Sequence, residues 1–307
     1  MGRYVARRLL LTIPVLIGAS FLVFALVFAL PGDPIRALAG DRPLPPAVQA
    51  QLREEFNLND PLVVQYGKYL GDLVQGDLGT DFRGRPVSEI VTDRLPVTLR
   101  LTVVAVTIEA VVGIAAGVLS GLRRGSFLDN VITISTILLI SVPVFVLGYL
   151  AQFVFGLQLG VLPVAGLTQG WLSYLLPGLV LASISLAYVT RLLRTSMVEN
   201  LRSDYVRTAK AKGLGPGRVV GKHTLRNSMI PVVTYLGADV GNFMGGAIIT
   251  ETVFNLPGLG RAVYDAVLAQ EGAVVVGIVT LFIFVFIIAN LVVDILYAAL
   301  DPRIRYE

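Results

Sequence analysis

Residues 9–30 read LLLTIPVLIGASFLVFALVFAL, an apolar run that carries no charged side chain. The hydrocarbon core of a bilayer is about 30 Å thick, so a helix needs about 20 apolar residues to cross it. Only helices and closed barrels satisfy their backbone groups in lipid, and barrel strands alternate apolar with polar residues. Because this run is continuous, it predicts a membrane-spanning helix. It is longer than the apolar region of a signal peptide, which has about 7–15 residues, so we expect it to be retained.

Five further runs have the same character and predict an all-α integral membrane protein of six spans. Residues 130–190 are uncharged throughout, but they are too many for one helix. The glycines and polar residues of 156–170 favour a turn that separates two spans. The predicted spans after the first lie at about residues 101–122, 131–155, 172–193, 230–249 and 274–300.

The composition supports a lipid environment and excludes several kinds of chemistry. The 307-residue chain is 55% hydrophobic and 15% charged, whereas a typical soluble domain has about 25% charged residues. It contains no cysteine, which excludes disulfides, thiolate metal sites and cysteine nucleophiles. An ATP-binding P-loop needs Gly-Lys followed by Ser or Thr, but Gly221 and Lys222 are followed by His223, the single histidine. We therefore expect no enzymatic activity, no metal site and no cofactor in this chain.

The distribution of arginine and lysine predicts the orientation. With six spans, the most basic segments share one side of the membrane, which is expected to be the cytoplasmic side. These segments are residues 1–8, 123–124, 191–226 and 303–305. Both termini are then cytoplasmic. The chain divides into a cytoplasmic N-terminus (1–8), a first span (9–30), an extracytoplasmic loop (31–94) and a core of five spans (95–307), which includes a cytoplasmic loop at about 194–229.

Three acids lie inside the predicted spans: Glu109, Asp239 and Asp294. An ionisable side chain costs about 2.5–3.5 kcal/mol at the centre of a spanning helix, so such groups face protein or water and are functional candidates. They either relay protons or bond a neighbouring helix, and we favour the structural role for Glu109 and Asp294. Asp239 lies among glycines at 237, 241 and 245, which share one helix face. That face allows close helix approach or leaves room for a substrate.

The loop between the fourth and fifth spans is the most informative connection. Residues 204–214 read DYVRTAKAKGL. This composition predicts a short basic helix over 204–212, with Asp204 as its N-cap and Gly213 as its stop. On charge alone, a solvated loop on the positive side of the membrane is the commoner case.

This loop resembles the EAA loop of ABC-importer permeases, whose pattern is Glu-Ala-Ala, three residues, then Gly. The corresponding positions hold Arg207, Thr208, Ala209 and Gly213. The second Ala and the Gly match, whereas the Glu and the first Ala do not. The form Tyr-Val-Arg-Thr-Ala-x-Ala-Lys-Gly-Leu at 205–214 is similar to that of the peptide and nickel branch of these importers.

Other likenesses to this branch run along the whole chain. They are YVARR at 4–8, LPGDP at 30–34, RNSMIP at 226–231, VFNLPGLG at 253–260, NLVVD at 290–294 and DPRIRY at 301–306. They occur in order and at fitting places in the topology. The chain is thereby identified as a member of the dipeptide, oligopeptide and nickel branch. Within it, the chain most resembles the permease that has a long external loop after its first span.

The resemblance implies a type I ABC-importer permease fold and a channel-forming subunit that imports peptides by alternating access. The implied partners are a homologous second permease, two ATPase subunits that bind ATP and Mg, and an extracytoplasmic peptide-binding protein. The implied location is the inner membrane of a bacterium. The basic loop would be a coupling helix that docks into an ATPase subunit, through Tyr205, Arg207, Thr208, Ala209, Lys210, Lys212, Gly213 and Leu214.

The resemblance also implies that the fifth span lines the translocation path, which makes Asp239, Asn242 and Gly245 candidates for its lining. In the external loop, the sequence predicts short helices at 46–56 and 61–73. That loop either meets the binding protein or forms a surface cap without a direct substrate role.

Two alternatives remain open on the sequence. One is a permease of the same kind whose cargo is nickel, haem or glutathione. The other is an ion-coupled secondary transporter, which would use Asp239, Glu109 or Asp294 as a proton carrier and would need no ATPase partner.

Overall fold

The computed structural model describes residues 2–28, 35, 45–55 and 57–300, apart from the side chains at 2–7, 9, 55 and 294–300. Within these residues the chain is almost wholly helical. The helices are α1 (Gly2–Phe28), α2 (Pro46–Glu55), α3 (Leu62–Val74), α4 (Val87–Leu122), α5 (Phe127–Ser141), α6 (Val144–Gln158), α7 (Leu172–Leu201), α8 (Asp204–Ala211), α9 (Pro216–Val253), α10 (Leu259–Leu268) and α11 (Gly272–Leu300).

Each predicted span except the third corresponds to a single helix. In the described part of the chain, five helices are long and apolar enough to cross a membrane, namely α1, α4, α7, α9 and α11. The third span, expected as one helix at 131–155, is instead broken into α5 and α6, which are bent by 110°. Pro143 explains the break, because proline disfavours helical backbone at the preceding residue. Val142 is accordingly extended, with φ −102° and ψ 128°. If the bent pair is one span, the described residues form six.

Two spanning helices begin well before their apolar runs. The helix α4 begins at Val87 rather than near residue 101, and α9 begins at Pro216 rather than near residue 230. A hydropathy pattern identifies the apolar part of a helix, which lies in lipid, but it does not detect polar turns that extend the same helix beyond the membrane. The polar first turns of α4 and α9 are therefore continuous with their membrane segments. Each helix also contains a π-helical turn, Glu109–Gly113 in α4 and Val219–Leu225 in α9.

The helix α7 forms the centre of the molecule. In its most apolar stretch 67% of the residues are buried, against 11–44% in the other four single spans. Its contact with α4 is unusually close, because three glycines of α4 lie directly against α7 side chains. The facing pairs are Gly113 with Val189, Gly117 with Leu193 and Gly121 with Met197. A β-carbon at these glycines would lie only 2.7–2.9 Å from the facing side chain, so larger residues would push the two helices apart.

The two short helices predicted in the loop after the first span are confirmed as α2 and α3. The helix α3 is fastened to the spans by tyrosine hydroxyl groups. Tyr66 donates to the carbonyl oxygen of Ile17 in α1 at 2.8 Å, and Tyr69 donates to Thr280 Oγ1 in α11 at 2.9 Å. This part of the loop is therefore packed onto α1 and α11.

Candidate functional site

The basic loop between α7 and α9 forms a short helix, α8, as predicted. Its N-cap position is held by Ser203, which has extended backbone with φ −69° and ψ 155°. The assignment of Asp204 as the N-cap is therefore wrong, and Asp204 is the first helical residue. An acidic side chain in the first turn still interacts favourably with the helix dipole.

The predicted stop at Gly213 is confirmed by the backbone. Gly213 has φ +76°, a left-handed conformation that favours glycine. Its amide donates to the carbonyl oxygen of Lys210 at 2.9 Å, and the amide of Leu214 donates to that of Ala209 at 3.3 Å. This pair of bonds is the Schellman arrangement, which satisfies the last carbonyl groups of a helix. It fixes the direction in which the chain leaves α8 towards α9.

The candidate coupling residues divide into an anchoring face and an exposed face. Ala209 is buried and Leu214 is half-buried, and together with Val206 they pack against Val219 in the first turns of α9. The exposed members are Tyr205, Arg207, Thr208, Lys210, Lys212 and Gly213. The helix α8 thus rests on α9 through apolar contacts and presents a mainly basic surface to the solvent.

One polar side chain, which no sequence motif singled out, joins α8 to both neighbouring spans. Asn200 lies in the last turn of α7 and accepts a hydrogen bond from the Tyr205 hydroxyl on its Oδ1 atom at 2.5 Å. Its Nδ2 atom donates to Ser228 Oγ in α9 at 3.0 Å and to the carbonyl oxygen of Ser196 at 2.9 Å. Three helices therefore meet at one amide group.

Two of the three acids predicted in the spans lie side by side. Glu109 in α4 is fully buried, Asp239 in α9 is 2% exposed, and their carboxyl groups are neighbours. Asn242 Nδ2 donates to Asp239 Oδ1 at 2.8 Å. Among the described residues, both Glu109 oxygens and Asp239 Oδ2 have no hydrogen-bond donor other than the neighbouring carboxyl group. Burying polar groups with so few partners is costly, so this pair is poorly satisfied where it stands. The side chain of Asp294 lies outside the described residues.

The glycine face of α9 has two different uses. Gly237 and Gly241 pack against Val293 and Phe286 of α11, where a β-carbon would overlap the neighbouring side chain. A β-carbon at Gly245 would meet nothing within 4 Å. Of the candidate path residues, Asn242 and Gly245 are exposed, whereas Asp239 is buried and accepts a hydrogen bond from Asn242. The first two glycines thus serve helix packing, and the open space is confined to the third.

A partly buried ion pair was not predicted from the sequence. Arg194 of α7 donates from Nε to Asp129 Oδ1 at 2.6 Å and from a terminal nitrogen to Oδ2 at 2.8 Å. Asp129 also bonds the hydroxyl of Ser120 and accepts from the amide of Gly125 at 2.8 Å. Such a bidentate pair holds the adjoining ends of α4, α5 and α7 together. In the sequence, Arg194 stands out only as one of the basic residues of the segment 191–226.

Another buried acid explains the sequence VFNLPGLG at 253–260. Glu251 is fully buried, and it accepts a hydrogen bond from the Thr98 hydroxyl at 2.6 Å and another from the amide of Arg261 at 2.9 Å. Its carboxyl group lies so close to Gly258 that a β-carbon there would overlap it. The glycine is required because the start of α10 folds directly over this carboxylate.

The comparisons with known proteins agree with this architecture. Residues 113–306 match the family described as binding-protein-dependent transport system inner membrane component, and residues 1–102 match its N-terminal membrane component. The chain belongs to this family of transport permeases.

Relatives match over the full length of the permease. It is 38% identical over 334 residues to the dipeptide transport system permease protein DppB of Alkalihalophilus pseudofirmus. It is 42% identical over 312 residues to the glutathione transport system permease protein GsiC of Escherichia coli K12. Each alignment covers 100% of both chains. The predicted membership of the dipeptide and oligopeptide branch is confirmed.

The fold also has a solved counterpart. An inward-facing structure of the MetNI methionine ABC transporter matches with a TM-score of 0.58, covering 70% of this chain and 97% of that chain at 17% identity. The predicted type I ABC-importer permease fold is thus confirmed. The chain is a multi-pass permease subunit of an ABC importer, and its family is one of transport permeases rather than enzymes. An ion-coupled secondary transporter is not favoured.

Proposed function

We propose that this permease imports short peptides, driven by ATP hydrolysis in separate subunits. The support for the cargo is that two relatives aligned over their whole length are named for dipeptide and glutathione transport. Glutathione is itself a short peptide, so the two names share a chemistry: a small chain with amide bonds and charged ends. Nickel and haem have no such support among these relatives.

The observation that carries the proposal is the construction of α8. Its apolar face is seated on α9, its end is fixed by Gly213, and its outer face is exposed and basic. A helix held in this way can receive a push from a partner and pass it to the span beneath. We propose that residues 205–214 contact an ATPase subunit, in which ATP and Mg are bound.

The complete importer would contain this chain, a homologous second permease, two ATPase subunits and an extracytoplasmic peptide-binding protein. The basic segments support a cytoplasmic location for α8 and both termini, with the protein in the bacterial inner membrane. The packed helices α2 and α3 then lie on the external side, where they would meet the binding protein. The exposure of Asn242 and Gly245 supports their place along the path, and Asp239 would act from behind Asn242.

The source of energy tests this proposal. The complex is purified with its ATPase subunits and binding protein, reconstituted in vesicles, and assayed for peptide uptake. We expect uptake to require ATP and the loaded binding protein, and to survive a collapse of the proton gradient. Uptake that persists without ATP but stops when the proton gradient is collapsed would contradict the proposal and favour an ion-coupled carrier.

A further inference from the structure

The connection between α8 and the two spans beside it runs through Asn200. The apolar contacts of α8, made by Val206 and Ala209, reach Val219 at the start of α9. Its link to α7 is different, because it consists of the short turn after Leu201 and of hydrogen bonds to Asn200. In that turn, the Ser203 hydroxyl donates to the carbonyl oxygen of Asn200 at 2.6 Å.

The amide of Asn200 has a defined orientation. A backbone carbonyl oxygen can only accept a hydrogen bond, so the contact with the Ser196 carbonyl requires the NH2 group of Asn200 on that side. The same NH2 group reaches Ser228, which is fully buried in α9. The oxygen of the amide then faces α8, where it accepts the hydroxyl of Tyr205. One planar group therefore bonds α8 at one end and α7 and α9 at the other.

Tyr205 places this connection within reach of a docked partner. Its side chain is 39% exposed on the outer face of α8, yet its hydroxyl group is held by Asn200. A partner that packs on the ring therefore acts on a side chain already fastened to the end of α7. The spans α7 and α9 already pack together near this end, where Met197 of α7 and Val232 of α9 lie in one buried apolar cluster. Without the amide, α8 would be joined to this pair of spans by its apolar contacts with α9 and by the turn that follows α7.

We propose that Asn200 is a positioning residue that makes α7 and α9 move together with α8. This inference rests on the proposed function, because it assumes that α8 receives its movement from an ATPase subunit. Asn200 would determine how efficiently ATP hydrolysis is coupled to transport, whereas the exposed face of α8 would dock the ATPase.

The test measures the number of peptides imported per ATP hydrolysed by the reconstituted full complex. Asn200→Ala removes both ends of the connection, and Tyr205→Phe removes a single hydroxyl while it keeps the ring. We expect this ratio to fall about fivefold in Tyr205→Phe, the change expected from one lost hydrogen bond. It should fall at least as far in Asn200→Ala, which also loses the bonds to Ser228 and Ser196. The double variant should be no worse than Asn200→Ala alone, because both changes break the same contact.

Asn227→Ala is the matched control. Asn227 is exposed near the start of α9, and its Nδ2 atom donates to the carbonyl oxygen of His223 within the same helix at 3.1 Å. We expect its ratio of peptide to ATP to equal that of the unchanged protein. An equal loss in this control would overturn the inference, because the effect would then belong to any polar change in the region.

Further outcomes separate this inference from the proposed function. A wild-type ratio in both Asn200→Ala and Tyr205→Phe would overturn the role of Asn200 and leave the proposed function intact. Loss of the ATPase subunits from Asn200→Ala, with a wild-type ratio in Tyr205→Phe, would also overturn it, since Asn200 would then only support docking. If the unchanged chain retains no ATPase subunit, the proposed function itself fails and this inference fails with it.

Discussion

Two pairs of ionisable side chains in the spanning helices are satisfied very differently. The Asp129 carboxylate accepts two hydrogen bonds from Arg194, and it is also bonded by Ser120 and by the amide of Gly125. In the described part of the chain, the neighbouring carboxyl groups of Glu109 and Asp239 have no ion-pair partner, and three of their four oxygens have no hydrogen-bond donor outside the pair.

The difference predicts which pair stabilises the fold and which is a candidate for a role in transport. When a buried charge has a complete set of partners, removing one partner lowers the free energy of unfolding by several kcal/mol. Such a pair is therefore expected to hold the helices together. The charge of a buried acid that lacks hydrogen-bond donors does not stabilise the fold. Acids within spans are functional candidates by default. We therefore expect Asp129 and Arg194 to govern stability, and Glu109 and Asp239 to govern uptake.

The largest effect is expected from breaking the satisfied pair. Arg194→Ala should lower the free energy of unfolding by about 3 kcal/mol, because it leaves the Asp129 carboxylate buried without its counter-charge. Thermal unfolding of the purified complex in detergent measures the loss. Arg191→Ala is the control, since Arg191 is exposed on the same helix, and it should change the free energy by less than about 0.5 kcal/mol. Equal losses in the two variants would show that the ion pair does not fasten the helices.

An intermediate effect on stability is expected at the glycine contact between α4 and α7. Gly117→Ala would place a β-carbon 2.8 Å from Leu193 Cβ, and this overpacking should cost about 1–3 kcal/mol of unfolding free energy. Gly18→Ala in α1 is the matched control, because its β-carbon would meet nothing within 4 Å. The control should be neutral or slightly stabilising, since alanine has the higher helix propensity. A stable Gly117→Ala would mean that α4 and α7 can separate at little cost.

The smallest effect on stability is expected at the unsatisfied pair, where the effect on transport should be clear. Asp239→Asn and Glu109→Gln each replace a carboxyl group by an amide of the same shape, which supplies a donor to the neighbouring acid. Stability should stay unchanged or rise by about 1 kcal/mol. Assembly should remain intact while peptide uptake in vesicles changes. Normal uptake by Asp239→Asn would show that Asp239 has no role in the transport path. A large loss of stability in either variant would show that this pair stabilises the fold, as Asp129 and Arg194 are expected to do.

The sequence predicted the features that depend on local pattern. Apolar runs located the spans because each spanning helix must by itself supply about 20 mostly apolar residues. The short helix α8 and its stop were predictable from composition and from Gly213, because a left-handed residue ends a helix without any tertiary contact. Helix period placed the glycines at 237, 241 and 245 on one face, but only the fold showed that the first two pack on α11 while Gly245 stays open.

The features that were missed depend on contacts between distant segments. Asp129 and Arg194 are 65 positions apart, and neither is unusual in its own surroundings. The glycines at 113, 117 and 121 repeat every four residues as visibly as those of α9, yet only the fold supplies the α7 side chains they accommodate. The break at Pro143 had a local signal, the proline itself, but apolarity on both sides of it favoured a continuous helix.

Cross-linking from α8 tests the central claim most directly, namely that this chain is a permease whose α8 meets an ATPase subunit in the cytoplasm. The chain has no cysteine, so Arg207→Cys on α8 and Val63→Cys on α3 each introduce a single thiol at an exposed position. We predict that the thiol at 207 cross-links to the ATPase subunit and is protected from a membrane-impermeant maleimide added outside, whereas the thiol at 63 is labelled from outside and forms no such cross-link. External labelling at position 207, or a cross-link to the ATPase from position 63 alone, would contradict the account.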